Sequence, residues 1–124
     1  MVGVPPVTRT RASAKAAGAR FARTIADHFR ANGHPYADKQ PLTGAVDKGD
    51  VANVHHWDGH PIALELKDRA TLALPEWWRE AVAEARNLGT PYAAVIFKRR
   101  GIADPEKQWV VMDVAMFNAL IQGA

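Results

Sequence analysis

The sequence has no cysteine, so neither a disulfide nor a thiolate metal site can form. Long apolar stretches are missing too: the longest run, Tyr92 to Phe97 with its neighbours, falls far short of the roughly 20 residues of a membrane-spanning helix. No membrane partner is expected. Val2 to Val7 is short and interrupted by Pro5 and Pro6, which excludes a secretory leader core, and with the lack of cysteine this makes a reducing cytoplasm the expected location. Internal repeats and low-complexity tracts are absent. Acids are missing from residues 1–23, which hold Arg9, Arg11, Lys15, Arg20 and Arg23; the remainder is therefore acidic on balance, although the whole chain carries +3. What is present is 124 residues, 48% hydrophobic and 23% charged, the make-up of one globular domain with a real core.

Residues 1–12 read as a basic arm and 13–124 as the domain. The arm is either a solvated tail or a segment that seeks a polyanion. From Ser13, the spacing of Ala14, Ala17, Phe21, Ile25 and Phe29 predicts a helix that ends at Asn32-Gly33. Residues 34–48 are turn-rich and read as a loop. Asp50 to Trp57 and His60 to Lys67 then flank Asp58-Gly59, which predicts a two-residue hairpin turn. A second helix starts near Pro75, presents Trp78, Ala81, Val82, Ala85 and Leu88 to the core, and ends at Gly89. Tyr92 to Phe97 and Gln108 to Met112 read as strands. Asp113 caps a last helix whose expected inner face is Val114, Phe117, Leu120 and Ile121. The element order α-β-β-α-β-β-α predicts an α/β fold, a mixed sheet with helices packed on it.

A two-residue turn sets Trp57 against His60, which puts Asp50 opposite Lys67 and Ala52 opposite Glu65. Asp50, Glu65 and Lys67 then share one sheet face, and Ile62, Leu64 and Leu66 the other. Two carboxylates at this distance suit a hard divalent cation, and a lysine beside them can hold an attacking water or steady the charge on a phosphate. A cross-strand ion pair on an exposed face accounts for the same three residues. His55, His56 and His60 around the hairpin raise a zinc site, against which stands a solvated turn. Trp78 is expected in the core and Trp77 half exposed. Glu76, Glu80 and Glu84 recur every four residues as a solvated helix face. Arg20, Arg23, Lys39 and Lys48, with the second basic cluster Lys98, Arg99 and Arg100, are candidates for phosphate contacts or ordinary solvated charges.

Gly49-Asp50 followed by Glu65-Leu66-Lys67 resembles the Asp…Glu-x-Lys core of the restriction-endonuclease-like nuclease superfamily. Lys48 to Ala52, then Trp78, Glu80-Ala81 and Glu84, then Asn87-Leu88-Gly89, Lys98 to Gly101 and Asp104-Pro105, make residues 18–121 look like the small Holliday junction resolvases of archaeal type, those of actinobacterial phages in particular. The resemblance implies a restriction-endonuclease-like fold and a homodimer that resolves four-way DNA junctions by paired nicks. It implies Mg2+, with Mn2+ substituting, held by Asp50, Glu65 and the Leu66 carbonyl, and Lys67 acting on the nucleophilic water. Glu80 would stand near the cleft, and the location would be the host's bacterial cytoplasm. One departure stands out: relatives carry a glutamate on the inner face of the first helix where this chain has Ala22. A junction-binding protein with impaired catalysis, or another nicking or flap nuclease of the superfamily, are the alternatives.

Overall fold

The computed structural model describes residues 9–41 and 46–122; residues 1–8 of the expected arm lie outside them. Helix α1 spans Arg11–Ala31 and starts ahead of Ser13 because Thr10 caps it, its hydroxyl accepting from the Ser13 N–H at 3.0 Å. The last two residues assigned to the arm are thus helical. Strands β1 (Asp38–Lys39), β2 (Val51–Ala52), β3 (Ile62–Lys67), β4 (Tyr92–Phe97) and β5 (Trp109–Val111) form one sheet in the order 1-2-3-4-5. All neighbours are antiparallel except β3 and β4, which run parallel. A parallel pair needs a crossover, and helix α2, Leu74–Leu88, supplies it. Helix α3, Val114–Ile121, follows β5 from an Asp113 cap that accepts from Met116 N–H at 2.8 Å. The fold is α/β, with one strand more than expected: β1 lies in the segment read as loop, too short and too exposed to show a pattern.

Both sheet faces are covered. On one, Phe21, Ala22, Ile25 and Ala26 of α1 pack on Val51, Leu64, Leu66 and Ile96. On the other, Trp77, Ala81 and Ala85 of α2 pack on Ala63, Ala93, Val95 and Phe97. Strand β4 is consequently buried along its whole length, as a strand enclosed on both faces must be.

The hairpin register differs from the expectation. Trp57-Asp58-Gly59 form a three-residue loop, with the Gly59 N–H donating to His56 O and the His56 N–H to His60 O, both at 2.9 Å, and Gly59 at φ 91°. An extra residue, Asn53 at φ 65°, then bulges the first strand between the bridge His55–Pro61 and the pair Val51–Leu64. Each change shifts the pairing by one. Asp50 therefore lies beside Glu65 instead of Lys67, and the first strand is far shorter than Asp50–Trp57.

Two packing expectations are also corrected. Trp77, at 4% exposure, is the core tryptophan and stacks toward Phe97 at 5.9 Å, whereas Trp78 is half-buried on the flank. Helix phase decides this, because Trp77, Ala81, Glu84 and Ala85 form the stripe that meets the sheet. Val114, Phe117 and Ile121 of α3 are exposed, because α3 makes little contact with the sheet; Met116 and Ala119 line a pocket together with Trp78 and Val82. No helix among the described residues is long and apolar enough to cross a membrane.

Candidate functional site

The site is built where β2 leaves a tight loop and meets the carboxyl end of β3. Gly49 sits at φ 100°, and a Cβ there would stand 3.1 Å from Leu64 O and 3.2 Å from Leu64 N. Only glycine lets the loop press this closely on β3. The next residue is thereby fixed: the Asp50 N–H donates to Leu64 O at 2.8 Å, and its Oδ2 accepts from the Leu66 N–H at 2.7 Å. Asp50, Glu65 and Lys67 share the face of the sheet that α2 covers, while Leu66 turns its side chain to the α1 face and offers this end only its backbone.

Helix α2 adds two acids. Glu80 holds the Lys67 ammonium at 2.7 Å, and Glu65 holds it at 3.3 Å. Glu84, expected on a solvated face, is 3% exposed, and its Oε2 is buried with no hydrogen-bond partner. One carboxylate oxygen each from Asp47, Glu65 and Glu84 lie within 4.8 Å of one another. Such crowding governs the protonation. Burial, then the Glu65 charge, pushes Asp50 up from 3.8 to about 7. Burial, then the hydrogen bond and charge of Glu65 and the charges of Asp47 and Asp50, pushes Glu84 up from 4.5 to about 11. For Lys67, burial opposes the charge, but the hydrogen bond to Glu80 and the charges of Glu65 and Glu80 outweigh it and raise its pKa above the ordinary lysine value.

The cations fall into two groups. Because β3 and β4 are parallel, the turn Lys98 to Arg100 leaves the sheet at the same end as Lys67, the Lys98 N–H donating to Lys67 O at 2.8 Å. Arg9 reaches that end as well and bonds Asp68 through its carbonyl at 2.8 Å and its carboxylate at 3.2 Å. Open α/β sheets bind ligands at this end of their parallel strands. Lys48 is exposed beside Asp47, and Lys39 is exposed on β1, which pairs with β2 next to Asp50. Arg20 and Arg100 are exposed. Arg23 is engaged by Asp38 at 2.9 Å and Asp27 at 3.6 Å, and Arg99 lies 4.4 Å over the Trp109 ring while donating to Lys107 O.

Ala22 is buried in the apolar layer with Leu64 and Leu66, across the sheet from Glu65 and Lys67. Helix α1 therefore brings no carboxylate to the cluster from that position. At the hairpin, His56 is buried and stacked on Tyr92 at 4.3 Å, its Nδ1 3.3 Å from Asp58, which also accepts from the Tyr92 hydroxyl; His55 and His60 are exposed. The three do not converge as metal ligands would; among the described residues only Asp47, Glu65 and Glu84 bring three such atoms close enough together to hold an ion.

Reading the sequence missed Asp47 and Glu84 as members of the site and named Arg9 only as part of the basic arm. Glu84 left one signal: it falls in the Trp77, Ala81, Ala85 stripe, where a charge is out of place. Asp47 left none, because a contact with α2, distant in sequence, brings it in; for Arg9 the acid-free basic segment was the signal, and its pairing with Asp68 was not. Comparison with protein-family models, with curated proteins and with solved structures finds no match for this chain.

Proposed function

We propose that the chain is a metal-dependent DNA endonuclease that cuts four-way junctions by paired nicks. One observation carries this reading: Asp50, Glu65 and Lys67 share a face at the sheet end where Arg9 and the Lys98 to Arg100 turn also lie. The donor set suits a hard divalent cation, since it consists of carboxylate and carbonyl oxygens and the chain has no thiolate to compete. The unpartnered Glu84 oxygen supports the same fit. Asp50, Glu65 and the Leu66 carbonyl would hold Mg2+, or Mn2+ in its place. When bound, such an ion polarises a phosphodiester and makes water a stronger acid.

The chain's own groups do the rest. Lys67 keeps its proton, held in one orientation by Glu65 and Glu80, and so meets the charge that builds on the phosphate as a cation. Lys48 and Arg100 are free on the surface to neutralise phosphates flanking the scissile bond. Recognition is by shape and charge, since no element among the described residues has the pattern of a base-reading helix. Paired nicks need two sites, which a two-fold dimer supplies. The exposed Trp109 and Val110 on edge strand β5, and the exposed Phe117 and Ile121 on α3, leave apolar surface that a second copy would cover. A junction-binding protein with impaired catalysis is the second reading, favoured by Ala22 standing where relatives of the resembled family carry a glutamate.

The test is cleavage of a labelled four-way junction against a linear duplex of equal length, in magnesium and in EDTA. Paired nicks on the junction alone, lost in EDTA and in Lys67→Ala, are the expected result. Tight binding without nicks supports the second reading, and neither binding nor nicks sinks both.

A further inference from the structure

Glu84 lacks the surroundings that would satisfy it as an ionised carboxylate. A buried carboxylate is normally satisfied by backbone N–H groups or by a paired cation. Glu84 is 3% exposed, its Oε2 has no partner, and the Lys67 ammonium is bonded to Glu65 and Glu80. Its charged neighbours Glu65, Asp47 and Asp50 are all acids. Gly49 lies against the Glu84 Oε2 oxygen, where a Cβ would stand 3.6 Å away. Asp47, itself exposed, is held beside this pair: its Oδ1 accepts from the Gly49 N–H at 2.9 Å, and Asn87, one turn beyond Glu84, ties the Asp47 carbonyl to α2 at 2.8 Å.

We infer that Glu84 and Asp47 join Glu65 in binding a divalent cation, so that in this chain the third carboxylate comes from α2 and its neighbouring loop instead of from α1. Oxygen atoms within 4.8 Å of one another and a buried oxygen lacking any donor are the arrangement a hard cation completes. Ala22 on α1 then needs no replacement. The inference rests on the nuclease reading for the use of the ion, but not for its binding.

The experiment is Mn2+ titration of the full chain, stripped with EDTA and exchanged into buffer, followed by the paramagnetic resonance of free Mn2+ and by the melting temperature. Wild type, Glu84→Gln, Asp47→Asn and Asp50→Asn are compared. Glu84→Gln keeps shape and removes only the charge, and Asp47→Asn retains the oxygen that accepts from Gly49. Mn2+ affinity is expected to fall about 10–100-fold in each of these two variants, with loss of the Mn2+-induced rise in melting temperature. Unchanged affinity in Glu84→Gln with binding lost in Asp50→Asn overturns the inference and leaves the nuclease reading intact. No Mn2+ binding by the wild type overturns both. Binding that depends on Glu84 in a protein that cuts no DNA upholds the inference and overturns the nuclease reading.

Discussion

The acid cluster should make the cation-free protein lose stability as pH rises, the reverse of common acid denaturation. Asp50 and Glu84 have pKa values raised on folding, from 3.8 to about 7 and from 4.5 to about 11, so the folded chain keeps protons that the unfolded chain releases. Wherever the folded state binds more protons, stability falls with increasing pH. The cluster's contribution is greatest below the unfolded values near 4 and declines from there through neutrality. The two groups and Glu65 share one electrostatic field, so we count a single retained proton for the cluster. One proton corresponds to about 1.4 kcal/mol per pH unit, which between pH 4.5 and pH 7 amounts to about 3 kcal/mol. Urea unfolding in EDTA at half-unit steps from pH 4.5 to 8, read by tryptophan fluorescence, measures this slope directly. Glu84→Gln should flatten most of it and be more stable than wild type at pH 7 by about 1–3 kcal/mol, with Asp50 leaving a residual slope that ends near pH 7. Saturating Mg2+ should remove the decline, because an ion that binds the ionised carboxylates favours the folded state increasingly as pH rises. A wild-type stability that is flat or rises between pH 5 and 7.5 without metal would refute the burial argument for Glu84.

Other substitutions probe separate parts of the structure. Gly49→Ala forces a side chain into φ 100° and against Leu64 O, and should cost about 1–3 kcal/mol by urea unfolding while loosening Asp50; an unchanged midpoint would contradict the close approach. Trp77→Ala should cost about 3–5 kcal/mol and Trp78→Ala clearly less, and the opposite order would mean that α2 is rotated from the phase described. Arg100→Ala should weaken DNA binding equally across sequences and lower the slope of log affinity against log salt by about 1, measured by fluorescence anisotropy. Ala22→Glu introduces a carboxyl into the apolar layer and should cost about 1–3 kcal/mol without adding nicking activity; new magnesium-dependent nicks would show that α1 can supply the third carboxylate after all.

What the chain announced by itself was what neighbours in sequence decide. The Asp113 cap, the left-handed Gly89 at φ 77° that closes α2, and the apolar runs of β3 and β4 are local choices of backbone and side chain, visible before any tertiary contact forms. The shared face of Asp50, Glu65 and Lys67 was legible as well, and it survived a wrong register for a physical reason. The hairpin loop and the Asn53 bulge each shift the pairing by one residue, and two such shifts restore the face that one would have reversed. Tertiary structure decided the rest. Which side of α2 meets the sheet settled that Trp77 and Glu84 are buried, and the placement of α3 away from the sheet left Phe117 and Ile121 in the open. The carboxylate cluster itself arises only when a glycine allows the loop at Asp47 to press on β3 and α2 closes over it, contacts between segments far apart in sequence that no local pattern encodes.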